Sequence, residues 1–177
     1  MSEDQRRMLR ILADQGDVSA FRARLEERKT ERTEIIDVVI PGDPVAKARP
    51  RATIRGGRPV LYTPKKTAEW AKEAGALMAA AYEGPKGLED PIAVWVDAVK
   101  RRPKNRFRKK DPDVRTWRTK MPDGDNVMKA VLDALEKSGV IDNDKQVVET
   151  FCRSYYTSKA EEPGVRVRVY LLDGEVL

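Results

Sequence analysis

Residues 121–156 read MPDGDNVMKAVLDALEKSGVIDNDKQVVETFCRSYY, and the spacing of apolar residues changes once along them. Val127, Val131, Ala134 and Leu135 recur at steps of three and four, which places them on one face and predicts a helix over Asn126–Ser138. Gly139 is its stop, because glycine reaches the left-handed conformation that ends helices at no steric cost. Val140 and Ile141 then lead into Asp142-Asn143-Asp144, and Gln146–Tyr156 reads as a strand.

Working outward, Ile92–Val99 alternates, with Ile92, Val94, Val96 and Ala98 on one face. Val165, Val167 and Val169 alternate against Arg166, Arg168 and Tyr170. Glu34–Ile40 is a β-branched run stopped by Pro41-Gly42. Thr63-Pro64 has the form of an N-cap followed by proline at the first helical position. It opens a helix to about Tyr82 that carries Ala68, Ala71, Ala74, Leu77 and Met78. The stretch PGDPVAKARPRATIRGGRP over 41–59 reads as a loop. Together these predict an α+β domain, a mixed β-sheet with packed helices, over 34–177. Residues 1–33 alternate Arg and Glu around broken apolar stripes and read as a helical appendage.

Composition removes several chemistries. The 177 residues contain no histidine and one cysteine, Cys152, so triads built on imidazole and sites that need it are excluded. Any metal must sit on oxygen, which favours Mg²⁺, Mn²⁺ or Ca²⁺. A single cysteine suits a reducing cytoplasm, and Cys152 reads as a small buried hydrophobe. No apolar run is long enough for a membrane span, and the opening MSEDQRR does not read as a signal peptide. The net charge of +6 points weakly to a polyanionic partner.

The distribution of charge says more. Lys100–Lys120 holds eleven Lys/Arg against two Asp, namely Lys100, Arg101, Arg102, Lys104, Arg106, Arg108, Lys109, Lys110, Arg115, Arg118 and Lys120. So long a loop inside a domain is usually functional or disordered. Phe107 and Trp117 interleave with the bases, either to stack on splayed bases or to pack. Lys47, Arg49 and Arg51 form a second basic group. Directly after the long basic run stand Asp123 and Asp125, two apart before a helix. Asp125 or Asn126 would also serve as that helix's cap. Lys129 and Asp133 follow at four-residue steps, and Asp142 and Asp144 lie past the helix. A helix of 13 residues spans about 20 Å, so the two acidic groups meet only if the chain runs back along it. Carboxylates holding Mg²⁺ beside a lysine, next to a surface that attracts phosphate, suit phosphodiester hydrolysis without histidine.

The motif Asp123-x-Asp125-Asn126-x-x-Lys129-x-x-x-Asp133-Ala134-Leu135, followed by Gly139-Val140-Ile141-x-x-Asp144-x-Gln146-Val147, resembles the signature of the RusA family of Holliday-junction resolvases. Gly42-x-Pro44-x-x-Lys47-x-Arg49-Pro50-Arg51 and Tyr62-Thr63-Pro64-x-x-Thr67 look like its phage and prophage branch. The resemblance covers about residues 35–172. It implies a RusA-like, homodimeric endodeoxyribonuclease acting on branched DNA in recombination and repair. Metal would fall on Asp123, Asp125 and Asp144, with Lys129 needed for activity. The two basic groups, read from their charge, would supply the DNA contacts: Lys47, Arg49, Arg51, Arg101, Arg102, Lys104, Arg106, Arg108, Lys109, Lys110, Arg118 and Lys120. The family's usual Asp-Asp pair is Asn143-Asp144 here, with Asp142 an extra acid one residue early. Rival readings are a metal nuclease for flaps or forks, and a DNA-binding protein on the same fold without catalysis.

Overall fold

The computed structural model describes residues 32–172, of which Thr33–Leu172 form one compact unit. The helical appendage expected over 1–33 lies outside the described residues, apart from its last two. Along the chain come β1 (Arg32–Pro41), β2 (Arg51–Arg55), β3 (Arg58–Tyr62), α1 (Lys65–Ala81), β4 (Ile92–Lys100), β5 (Thr116–Trp117), α2 (Gly124–Lys137), β6 (Val147–Tyr156) and β7 (Gly164–Leu172). Short 3-10 turns stand at Lys104–Arg106 and Asp144–Gln146.

Five strands form a mixed sheet in the order β1-β7-β4-β6-β5. β4 runs antiparallel to β7 and parallel to β6, and β5 pairs antiparallel with the end of β6. The expected alternation holds. Ile92, Val94, Val96 and Ala98 of β4 join Val165, Val167 and Val169 of β7 in the core, none more than 1% exposed. Trp70, Ala71, Ala74 and Met78 of α1 and Val127, Val131, Ala134 and Leu135 of α2 cover that same face. Each fully buried side chain of this kind contributes about 1.5–3 kcal/mol.

The two helices approach closely because the contact is lined by small residues. A Cβ at Gly75 would stand 3.1 Å from the Ala134 carbonyl oxygen, so glycine is what permits this spacing. α2 stops where expected: Gly139 has φ +74°, and Ser138 and Gly139 donate their N–H groups to Ala134 and Glu136. α1 begins one residue later than expected. Pro64 is the N-cap, with its carbonyl accepting from Thr67 and Ala68, and Thr63 stands outside.

Two stretches expected as loops are ordered. The stretch 41–59 carries most of the β2–β3 hairpin, which runs on to Tyr62 and is paired from Arg51↔Tyr62 to Arg55↔Arg58. Gly56 and Gly57 turn it with φ of +58° and +74°, the primed geometry that matches strand twist. All ten strand residues are exposed, so no core face disclosed them. The basic stretch after β4 is organised around Arg102, which is only 4% exposed. Its guanidinium donates to the carbonyls of Thr157 (2.9 Å), Pro112 (2.8 Å), Arg106 and Val114. Among the described residues no helix is long and apolar enough to cross a membrane.

Candidate active site

α2 starts on the core face of the sheet at β6. A Cβ at Gly124 would touch Cys152 Sγ at 3.4 Å and Ser154 Oγ at 3.7 Å. The turn leading to the helix is fixed by Arg118, 6% exposed, whose guanidinium donates to the carbonyls of Lys120 and Pro122 and to Ser154 Oγ at 3.0 Å. Arg118 N–H also donates to the Ser154 carbonyl (3.0 Å), and Lys100 Nζ to that of Met121 (3.2 Å). Asp123 therefore emerges at a defined place, at the N-cap of α2 in an extended conformation.

Asp123 holds the cap position without capping: its side chain accepts no backbone hydrogen bond. Asp125, in the first turn, instead accepts from Lys129 Nζ at 3.2 Å. That bond is the main reason its carboxyl is held below the ordinary range, with the backbone N–H of Asn126 helping. All three side chains are exposed, while the helix face behind them is buried. The helix N-terminus adds a partial positive charge that favours anions. Burial pushes the neighbouring Cys152 thiol up, which keeps it protonated and fits the expected small hydrophobe.

The second acidic group lies at the other end of the helix. Gly87 donates to the Gly139 carbonyl, Leu88 to that of Val140, and Gln146 Nε2 to that of Leu88. β6 then begins with Val147 paired to Ile92. Asn143 caps the turn, accepting from Lys145 N–H (3.0 Å), while Gln146 Oε1 accepts from the N–H of Asp142 and Asn143 (3.1 Å each). A neutral asparagine thus does the capping, and Asp144 stays exposed. Asp142 faces Gly87, where a Cβ would stand 3.1 Å from its Oδ1, so it belongs to that corner.

The structure therefore brings together Asp123, Asp125 and Lys129, and leaves Asp144 beyond the far end of α2. The 14 residues of α2 put about 20 Å between its ends. Among the described residues no three His, Cys, Asp or Glu side chains stand close enough to hold a metal ion. Asp123 and Asp125 offer carboxylate oxygens, the donor type that a hard cation keeping several waters takes. Asp133, in turn, is ion-paired with Lys47 at 3.0 Å, and the Lys47 N–H donates to the Asn126 carbonyl. This seats the 43–50 segment beside the start of α2.

The expected phosphate contacts divide by burial. Arg49, Arg51, Lys104, Arg106, Arg108, Lys109, Lys110 and Lys120 are exposed. Arg106 lies over the Tyr156 ring at 5.4 Å, Arg108 pairs with Asp111 at 3.6 Å, and Arg101 pairs with Glu162 at 2.5 Å. Arg102 and Arg118 are buried with their donors on carbonyls, so they build the scaffold and do not face phosphate. Trp117, 68% exposed, stacks on Tyr155 at 4.7 Å and keeps its other face open. Sequence reading missed Arg55 and Arg58, which flank the hairpin turn. The Gly56-Gly57 pair between ATIR and RPVLY was the available signal.

Residues 41–170 match the family model described as endodeoxyribonuclease RusA. Over 141 residues the chain is 30% identical to the uncharacterized protein YqaN of Bacillus subtilis (strain 168), covering 77% of this chain and 96% of that relative.

Proposed function

The chain belongs to the RusA endodeoxyribonuclease family, and from that premise we propose a Mg²⁺-dependent endonuclease that resolves four-way DNA junctions by paired, symmetric nicks. The observation that carries this reading is the exposed Asp123, Asp125 and Lys129 array at the start of α2, held on a buried scaffold between basic surfaces. Mg²⁺, or Mn²⁺ in its place, would be held by Asp123, Asp125 and a third carboxylate from Asp144, with water and substrate phosphate completing the shell. When bound, the ion supplies a polarised phosphoryl oxygen and an acidified water.

The chain's own groups do the rest. Lys129 is placed to exchange its bond with Asp125 for the scissile phosphate, where its charge offsets that developing on the oxygens. The partial positive charge at the start of α2 favours the same phosphate. Exposed Arg49, Arg51, Lys104, Arg108, Lys109, Lys110 and Lys120 attract the DNA backbone. Two nicks placed symmetrically require two sites related by a two-fold axis, which a homodimer provides. In that dimer Asp144 serves the Asp123–Asp125 pair of the other copy, since α2 holds it away from the pair of its own chain.

The test is Mg²⁺-dependent cleavage of a synthetic four-way junction, beside flap and linear duplex controls. The expected result is junction cleavage well above both controls. Equal rates on all three would remove junction resolution and leave a general nuclease. Tight junction binding with no cleavage in Mg²⁺ or Mn²⁺ would leave a DNA-binding protein.

A further inference from the structure

The β2–β3 hairpin is two-faced. Partners across an antiparallel pair share a face, and successive residues alternate. Arg51, Thr53, Arg55, Arg58, Val60 and Tyr62 therefore lie on one side, and Ala52, Ile54, Pro59 and Leu61 on the other. The apolar side is open: Ile54 is 78% and Leu61 72% exposed. An isolated two-stranded hairpin is at best marginally stable in water, so such a surface is built to be covered. Its base is anchored at the proposed site, because Lys47, four residues before β2, is tied to Asn126 and Asp133 of α2.

We propose that this hairpin enters the branch point of the DNA, with Ile54 and Leu61 against unstacked bases and the arginine face along the phosphates. The inference rests on branched DNA being the substrate, and it deepens that reading by naming an element that selects branches over duplex. Charge favours this occupant. Three of the six residues on one face are arginines, and two of them, Arg55 and Arg58, form a cross-strand pair beside the turn, which suits a polyanion lying along that face. Size argues against a second copy as the cover. Four apolar side chains on one short hairpin fall well short of the roughly 800 Å² per partner that a stable interface buries. Base edges and faces at a junction suit them, since apolar side chains wedge between base steps wherever stacking is already weak. The apolar side then discriminates and the arginine side holds.

The experiment uses the full chain without divalent metal and two probes: a four-way junction carrying 2-aminopurine at its branch point, and a linear duplex of the same composition. The double variant Ile54→Ser/Leu61→Ser should weaken junction binding about tenfold, keep duplex binding, and abolish the rise in 2-aminopurine fluorescence. Because both side chains are exposed, its thermal melt should match the wild type. The variant Arg55→Ala/Arg58→Ala should weaken both probes and reduce the salt slope by about two. Unchanged junction affinity and fluorescence in the apolar variant would overturn the wedge while leaving junction cleavage standing. Dissociation of that variant to monomers in sedimentation would overturn it in favour of a contact between copies. A wild-type chain that binds both probes equally, with no fluorescence change, would sink the wedge together with the junction reading.

Discussion

At Asp125 the same bond serves fold and chemistry. Lys129 donates to its carboxylate and keeps the group ionised below the usual acid range. An acid whose folded pKa is lowered stabilises the fold above its unfolded value, and that contribution is lost as pH falls through the folded one. Asp125 is exposed, so its effect lies in charge state more than in stability. Lys129→Met should move the Asp125 titration midpoint up towards the ordinary value, read by NMR of the side-chain carboxyl. An unmoved midpoint would mean that the bond is not made in solution. Asp123→Asn and Asp125→Asn should each cut cleavage about a hundredfold or more while junction binding survives. Loss of both together would make these acids structural. The residue types and spacing of this group were readable from the chain, because two carboxylates and a lysine within one helical turn and a half are local facts. The burial of Arg102 and Arg118 was not: a basic run looks uniform until the fold decides which guanidinium turns inward.

At the scale of elements, small residues and buried charge fix the frame. Gly75→Val would drive a side chain into the Ala134 carbonyl and separate α1 from α2. The expected cost is about 1–3 kcal/mol in urea unfolding, without change in the salt dependence of DNA binding. A variant as stable as the wild type would show that the helices slide freely. Arg102→Ala should release the loop that follows β4, since several carbonyls lose their donor at once. Hydrogen exchange over 103–115 should quicken while that of β4 and β7 stays slow. Equal protection in variant and wild type would mean that Arg115–Glu161 and the bonds from Lys159 suffice to hold the loop. The strands with one buried face were plain from alternation. The hairpin was not, because period-2 patterning marks a strand only when one face meets a core.

For the whole molecule, the length of α2 sets the question of assembly. One chain holds Asp123 and Asp125 at one end of a helix and Asp144 past the other. The proposed homodimer is testable through this separation. Mixing Asp125→Asn with Asp144→Asn, each inactive alone, should regenerate one intact site per mixed dimer. Nicking of a single strand, and binding of about one Mn²⁺ per mixed dimer, should return. A mixture that stays silent in both readouts would confine the site to a single chain and remove Asp144 from it.

What the sequence determined by itself was local: the period of each buried strand and helix, the stop at Gly139, the oxygen-only chemistry, and the family motif. These follow from neighbours a few residues apart, whose geometry is the same in any fold. Tertiary structure alone decided which arginines face water, that 51–62 projects as a two-faced hairpin, and that Asp144 stands apart from Asp123 and Asp125. Those depend on where a rigid helix comes to rest against a sheet, and spacing along the chain carries no measure of that.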